Sequence, residues 1–274
     1  MALKLYHFNN SVCSQKVRLA LAEKGLEWDE QLVDLFKLEQ YEPDYVKLNP
    51  KGVVPTLVHD GHPVIESTLI CEYLDDVFPD PPLLPADPAA RAAMRVWTKA
   101  VDEGLHEGVT AISFSAMFRE RMKAMSDEVR ARRYRNIGDP VRRDRDRTVF
   151  KHGVDSPHVF NAIAAYETLF GKLDKALADG REWIMGESLT LAEINLAPYA
   201  ARLEYLDLLG VWIAERPAVG AWWGRLKARP VYRTQLSGRL TEAEIEPMRR
   251  FGGAIRERMA ERRQEYLDAF AAAA

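Results

Sequence analysis

Over the first eighty residues the spacing of apolar and polar positions changes several times, and each change marks an element. Leu3, Leu5 and His7 alternate with Lys4 and Tyr6, the period of two expected of a short strand. Val17, Leu19, Ala20 and Leu21 then follow helical spacing within residues 14–23, and Gly25 suits the left-handed residue that ends such a helix. Residues 28–35 read as a second strand and 38–48 as a polar helical stretch. Residues 56–59, the Asp60-Gly61 pair and residues 63–65 carry the pattern of a hairpin. Residues 67–77 place Leu69, Ile70, Tyr73 and Leu74 on one side of a helix. The order strand, helix, strand, helix, hairpin, helix is thioredoxin-like.

The pattern stops at residues 78–88, whose five prolines exclude both a helix interior and a central strand. Beyond them helical periodicity dominates, over about 89–124, 157–178, 190–207 and 217–228, with a polar helical tail after 240. The reading is an α/β thioredoxin-like N-terminal domain (1–80), a Pro-rich linker (81–89), and an all-α helical C-terminal domain (90–274) carrying an Arg-rich insert at about 119–157. A length of 274 residues agrees with two domains.

Composition narrows the classes. A net charge of −3 argues against generic nucleic-acid binding. No run reaches the roughly 18 apolar residues of a membrane span, and the first residues lack the apolar core of a secretory leader. The two cysteines, Cys13 and Cys71, have no metal-site or disulfide spacing, which suits a reducing compartment. A cytoplasmic protein with no metal, no nucleic acid and no membrane partner is expected.

Candidate chemistry clusters near the N-terminus. Ser11 sits where the first strand turns into the first helix; it can cap that helix or donate a hydrogen bond to an incoming thiolate. Lowering a thiol pKa by about two units takes roughly 2.7 kcal/mol. One charge-assisted hydrogen bond of about 1.5–3 kcal/mol together with the helix dipole supplies that. Ser14 could take the same role. Cys13 competes as a nucleophile in the first helical turn, or serves only as a small packing residue.

A cis Val54-Pro55 bond would turn the Val54 backbone outward to pair with an extended peptide; a trans proline opening an edge strand is the alternative. In Glu66-Ser67-Thr68, Ser67 as helix cap would offer a carboxylate site, and Glu66 could pair with an ammonium group. Gln40 and Lys51 could reach a second carboxylate. Phe8, Trp97, Phe114, Met117 and Phe118 could line an apolar acceptor pocket, or simply pack a core; His106 receives no role. The arginines between Arg119 and Arg147 read as a solvated face bridged by Asp139, Asp144 and Asp146, with an acidic partner or a lid as the sharper alternatives.

Ser11-Val12-Cys13-Ser14, Asn49-Pro50-Lys51-Gly52-Val53-Val54-Pro55, Glu66-Ser67-Thr68 and the Thr190-Leu191-Ala192-Glu193 box resemble, in order and spacing, the serine-type (theta- and zeta-like) glutathione transferases. The resemblance runs over about residues 3–235. It implies glutathione as co-substrate, with Ser11 at the thiol, Val54 pairing with the cysteinyl backbone and Glu66-Ser67 holding the γ-glutamyl group. Gln40 and Val53 occupy the places tied to the glycyl end, where Val53 departs from the usual polar residue. Thr190 and Glu193 resemble the family's N-capping box, with Glu in place of the usual Asp and Leu189 stapled to Ile194.

Residues 64–79, 86–88 and 94–103 further resemble the bacterial β-etherase branch, which cleaves β-aryl ethers of lignin-derived α-keto dimers with glutathione thiolate; the first loop departs from it. The implied function is glutathione transfer to an electrophilic, aromatic substrate by a homodimer. A maleylacetoacetate-type isomerase, a non-catalytic glutathione or hydrophobic-ligand binding protein, and a Cys13 thiol oxidoreductase stand as alternatives.

Overall fold

The alternation at the N-terminus becomes strand β1, Leu3–His7, with Leu3, Leu5 and His7 buried. The computed structural model describes residues 2–273. Strand β1 feeds helix α1, Val12–Glu23. Strand β2, Asp29–Leu32, is short and fully exposed. The expected helix at 38–48 resolves into a 3-10 turn, Glu39–Tyr41, and helix α2, Pro43–Leu48. Pro43 explains the break, because it holds Glu42 in an extended conformation (ψ 140°). Strands β3, Thr56–His59, and β4, His62–Val64, close on Asp60 and Gly61, whose φ values of 47° and 86° are those a two-residue hairpin requires. Helix α3 is Ser67–Val77. The sheet order is β2-β1-β3-β4, with β1 parallel to β2 and the other pairs antiparallel.

The rest is helical: α4 Pro88–Ala100, α5 His106–Ser113, α6 Arg119–Lys123, α7 Asp127–Asn136, α8 Pro140–His152, α9 Pro157–Leu177, α10 Leu191–Tyr205, α11 Gly210–Ile213, α12 Pro217–Ala228, α13 Pro230–Gln235, α14 Glu242–Gly253 and α15 Arg256–Ala273. A small sheet with helices followed by a helical region is the fold class read from the sequence. Several starts obey one local rule, a capping oxygen followed by proline. Asp139 accepts from Val141 N–H ahead of α8, and Ser156 accepts from His158 N–H ahead of α9.

The chain forms two compact units. The first joins residues 1–99, 180–198 and 222–241. Within it α1 and α3 pack together, and Lys24 and Asp75 form a buried pair 2.6 Å apart. Asp75 also accepts the Leu83 and Leu84 N–H groups, and Lys24 donates to Pro81 C=O, which pins the Pro-rich segment. Both Val54-Pro55 and Asp80-Pro81 are cis. The capping box is present: Glu193 accepts from Thr190 N–H and Oγ1, while Thr190 Oγ1 accepts from Ala192 N–H. The longer glutamate also reaches Ile184 N–H, at 2.6 Å. Helix α13 lies on α1, with Arg18 donating to Gln235 C=O and Arg229 gripping Glu23 through two bonds.

The second unit comprises residues 100–179, 199–221 and 242–274. Helices α5 and α9 pack closely where Gly108 faces Ala162. Tyr166, Phe170 and Trp212 form the aromatic centre. The polar tail folds back on this unit, with α15 held to α9 by the Arg263–Glu167 pair and to the turn before it by Arg258–Asp155. Among the described residues, no helix is long and apolar enough to cross a membrane, and no three metal-ligating side chains are grouped to hold an ion.

Candidate functional site

Four connections meet at one end of the sheet. Tyr6 lies opposite Thr56, so β1 finishes beside the start of β3; β2 runs parallel to β1 and finishes there too. Leu57 lies opposite Val64, which brings the end of β4 to the same row. The Ser11 turn, the residue 33–42 connection, the Val54-Pro55 turn and the start of α3 are therefore neighbours through topology alone.

Ser11 caps α1. Its Oγ accepts from Ser14 N–H at 3.3 Å, which occupies an acceptor position of the hydroxyl and leaves its proton to give. Ser14 is buried and its Oγ accepts from Phe8 N–H at 3.4 Å, so the structure turns it inward rather than toward an incoming thiol. Cys13 is half-buried in the first turn and forms no disulfide.

The cis Val54-Pro55 turn is held from behind. Tyr45 Oη and Asn49 Nδ2 donate to Val53 C=O at 2.6 and 2.9 Å, and Asn49 Nδ2 reaches Thr56 Oγ1 at 3.2 Å. Burial pushes the Tyr45 phenol above its ordinary pKa, keeping it a donor. Gly52, at φ 59°, sits under the Tyr41 ring, which a Cβ would meet at 2.8 Å. The Val54 side chain packs with Val33 and Tyr45, while its backbone N–H and C=O take no hydrogen bond among the described residues. Asn49 and Tyr45 are supports that sequence reading missed; the Asn49-Pro50-Lys51-Gly52 run was their signal.

At α3 the cap is Glu66, not Ser67: Glu66 has φ 68° and ψ 106°, and Ser67 is the first helical residue. The turn out of β4 imposes that backbone, so residue type alone pointed one position too far. Lys51 Nζ lies 2.6 Å from Glu66 Oε1, in an exposed pair beside the start of α3. Buried Lys16 donates to Thr68 Oγ1 at 2.9 Å from below. Gln40 is buried, with its Oε1 accepting no bond. Val53 is exposed.

The apolar candidates lie in both units. In the first, Phe8 packs on the Val54 cluster and meets Phe36 edge-on at 5.6 Å, and Trp97 is half-buried on α4. In the second, Phe114 and Met117 are buried and Phe118 is half-buried on a π-helical turn, Phe114–Phe118, covered by α14. His106 Nδ1 meets Tyr199 Oη at 3.3 Å. The Arg-rich insert is three helices, α6 to α8. Several of its arginines turn inward: Arg145 is buried against Glu107 and Asp146, Arg119 donates to Phe150 C=O, and Arg130 to Met122 and Met125 C=O. Asp146 serves Arg145, Asp144 faces His158 and Asp139 caps α8.

The sheet order, the cis-proline turn and the serine-capped first helix define the class of thioredoxin-like glutathione transferases. Family descriptions for the glutathione S-transferase N-terminal and C-terminal domains match residues 10–77 and 118–225. Protein LigF of Sphingobium sp. (strain NBRC 103272 / SYK-6) is 35% identical over 84% of this chain and 91% of its own. The crystal structure of β-etherase LigF from that strain superposes with a TM-score of 0.75 at 34% identity, over 86% of this chain and 98% of that one. The tetrachloro-p-hydroquinone reductive dehalogenase of Sphingobium chlorophenolicum is 34% identical over 85% of this chain and 94% of its own. A probable maleylacetoacetate isomerase of Caenorhabditis elegans is 42% identical over only 37% of this chain and 47% of its own. The chain belongs to the glutathione S-transferase family, a glutathione-dependent transferase with glutathione as co-substrate.

Proposed function

We propose that this chain binds glutathione across the end of the sheet, with Ser11 donating its hydroxyl proton to the thiolate, and directs that thiolate at the ether-bearing carbon of an aromatic substrate. The carrying observation is the Ser11 hydroxyl, fixed by Ser14 N–H at the start of α1 with its own proton still to donate. The free backbone of Val54 pairs with the cysteinyl residue, and Glu66 with the start of α3 takes the γ-glutamyl ammonium and carboxylate. In the reaction the sulfur lone pair forms the C–S bond as the C–O bond breaks. The aryl oxide leaves with the bonding pair and takes a proton from solvent. Similarity to a β-etherase over nearly the whole chain supports the ether. Phe8, packed on the Val54 cluster, is the aromatic group of the first unit assigned to the acceptor, and two copies of the chain form the working unit.

A maleylacetoacetate-type isomerisation is the second reading, favoured by Cys13 two residues beyond Ser11 and by the N-terminal match to an isomerase. The test is pH titration of thiolate ultraviolet absorbance for glutathione bound to wild type, Ser11→Ala and Cys13→Ala. The thiol pKa should be depressed in wild type and rise by about 1–2 units in Ser11→Ala, the worth of one charge-assisted hydrogen bond. No depression in wild type would leave a glutathione-binding protein without this chemistry. A loss confined to Cys13→Ala would move the function to thiol exchange. Aryl ether and maleylacetoacetate assays then separate the two enzymatic readings.

A further inference from the structure

We infer that Lys16, buried in α1, is a positioning residue: its ammonium group, held against Thr68, supplies the positive charge that the start of α3 presents to a carboxylate, at a cost to the stability of the unliganded fold. The inference rests on the glutathione site proposed above and adds to it a residue that touches no part of the peptide.

Three cations along α1 and its C-cap are buried, and the chain satisfies two of them. Lys24 has the Asp75 carboxylate at 2.6 Å and Pro81 C=O at 2.8 Å. Arg18 meets His7 Nδ1 and donates to Asn9 C=O and Gln235 C=O. Lys16 is different. It is 1% exposed, and its Nζ gives a single bond, to Thr68 Oγ1 at 2.9 Å. It forms no ion pair with any carboxylate among the described residues. An ammonium has three protons to donate. A buried charge with neither a counter-charge nor a full set of bonds destabilises the fold that contains it.

The place of this charge suggests its use. Thr68 is the second residue of α3, an eleven-residue helix whose first turn is made by Ser67 and Thr68. A helix start leaves its first N–H groups without partners inside the helix, and its dipole adds positive potential there. Glu66 and Lys51 sit beside that turn as an exposed pair 2.6 Å apart, so their charges cancel. What remains is the charge of Lys16. Because it is buried, water screens it less than an exposed lysine at the same distance. A carboxylate at the first turn of α3 therefore gains from Lys16 and gives it the counter-charge that the chain does not supply.

Isothermal titration of the full chain with glutathione and with its γ-glutamyl α-carboxamide, in which that carboxylate is replaced by a neutral group, tests this on wild type, Lys16→Met and Lys16→Gln. Wild type should bind the amide at least about tenfold more weakly than glutathione, the scale of one charge-assisted interaction. Both variants should bind glutathione about tenfold more weakly than wild type does, and bind the amide as wild type does, so the two losses do not add. Urea unfolding without ligand should find Lys16→Met no less stable than wild type, whereas saturating glutathione should raise the midpoint of wild type more than that of the variant. Loss of the same factor for both peptides, or for neither, overturns the inference, since the lysine then only ties α1 to α3. Lys16→Gln keeps a donor for Thr68; if it binds glutathione as wild type does, the bond matters and the charge does not. A free Lys16→Met protein clearly less stable than wild type also overturns it, because the ammonium is then satisfied within the fold. Wild type that binds glutathione and the amide equally overturns the placement of the γ-glutamyl end at α3, and binding of neither overturns the site itself.

Discussion

Acidification should weaken the fold through His7, well before the carboxylates titrate. His7 is fully buried at the end of β1; its Nδ1 accepts from Arg18 at 3.1 Å, and its Nε2 lies 3.8 Å from Glu30, which Arg239 also holds. Burial first, then the Arg18 charge, lowers its pKa from 6.5 to about 4, with Glu30 pulling the other way. The unfolded chain therefore takes a proton that the fold refuses. Stability from this group is complete above pH 6.5 and is lost as pH falls toward 4. The loss approaches about 1.4 kcal/mol per pH unit and reaches roughly 2 kcal/mol by pH 5. Glu193 and Asp146, whose pKa values burial raises, act with the opposite sign, so the comparison must be against a variant. His7→Asn keeps an acceptor for Arg18 but does not titrate. Urea unfolding followed by tryptophan fluorescence between pH 8 and pH 5 should show wild type losing about 2 kcal/mol more than His7→Asn over that range. Parallel profiles for the two proteins would refute the reasoning.

Glu193→Ala removes the acceptor of three donors, two of them on Thr190. It should cost about 3 kcal/mol in urea unfolding, more than an exposed cap. Asp75→Ala leaves Lys24 buried without its carboxylate and should cost about 3–5 kcal/mol; Lys24→Met in the same background should recover much of it. Glu66→Gly should separate stability from binding. Relief of φ 68° raises stability by about 1 kcal/mol after the cost of chain freedom, while calorimetry shows glutathione binding more weakly.

What the sequence disclosed was local. Asp60-Gly61 announced its hairpin, and residues 67–77 carried helical spacing to the residue. Strand β2 was harder, since Asp29–Leu32 is exposed throughout and offers no inside-outside alternation. In the insert, Ser126, Asp139 and Ser156 cap α7, α8 and α9, which the sequence reading does not draw on: it takes Asp139 as an ion partner and the arginines as a solvated face. Its buried Arg145 owes its place to Glu107 on another helix, which no local pattern announces. At the site, residue types pointed to Ser11, Val54 and Glu66, whereas the cap position, the inward turn of Ser14 and the partner of Lys51 depend on backbone geometry.

The arrangement of the first unit has a consequence for synthesis of the chain. Arg18 is buried and gives one of its bonds to the carbonyl of Gln235, and Glu23 is gripped by a residue 206 positions later. When the sheet-forming residues leave the ribosome, these two side chains belong to an interior whose other wall has not been translated. A nascent chain stopped before Arg229 has α1 without the cover of α13, and its Arg18 lacks the Gln235 carbonyl among its acceptors. Elongation is therefore part of this protein's folding schedule. The thioredoxin-like unit is begun first, yet its contacts are complete only once α13 has been made.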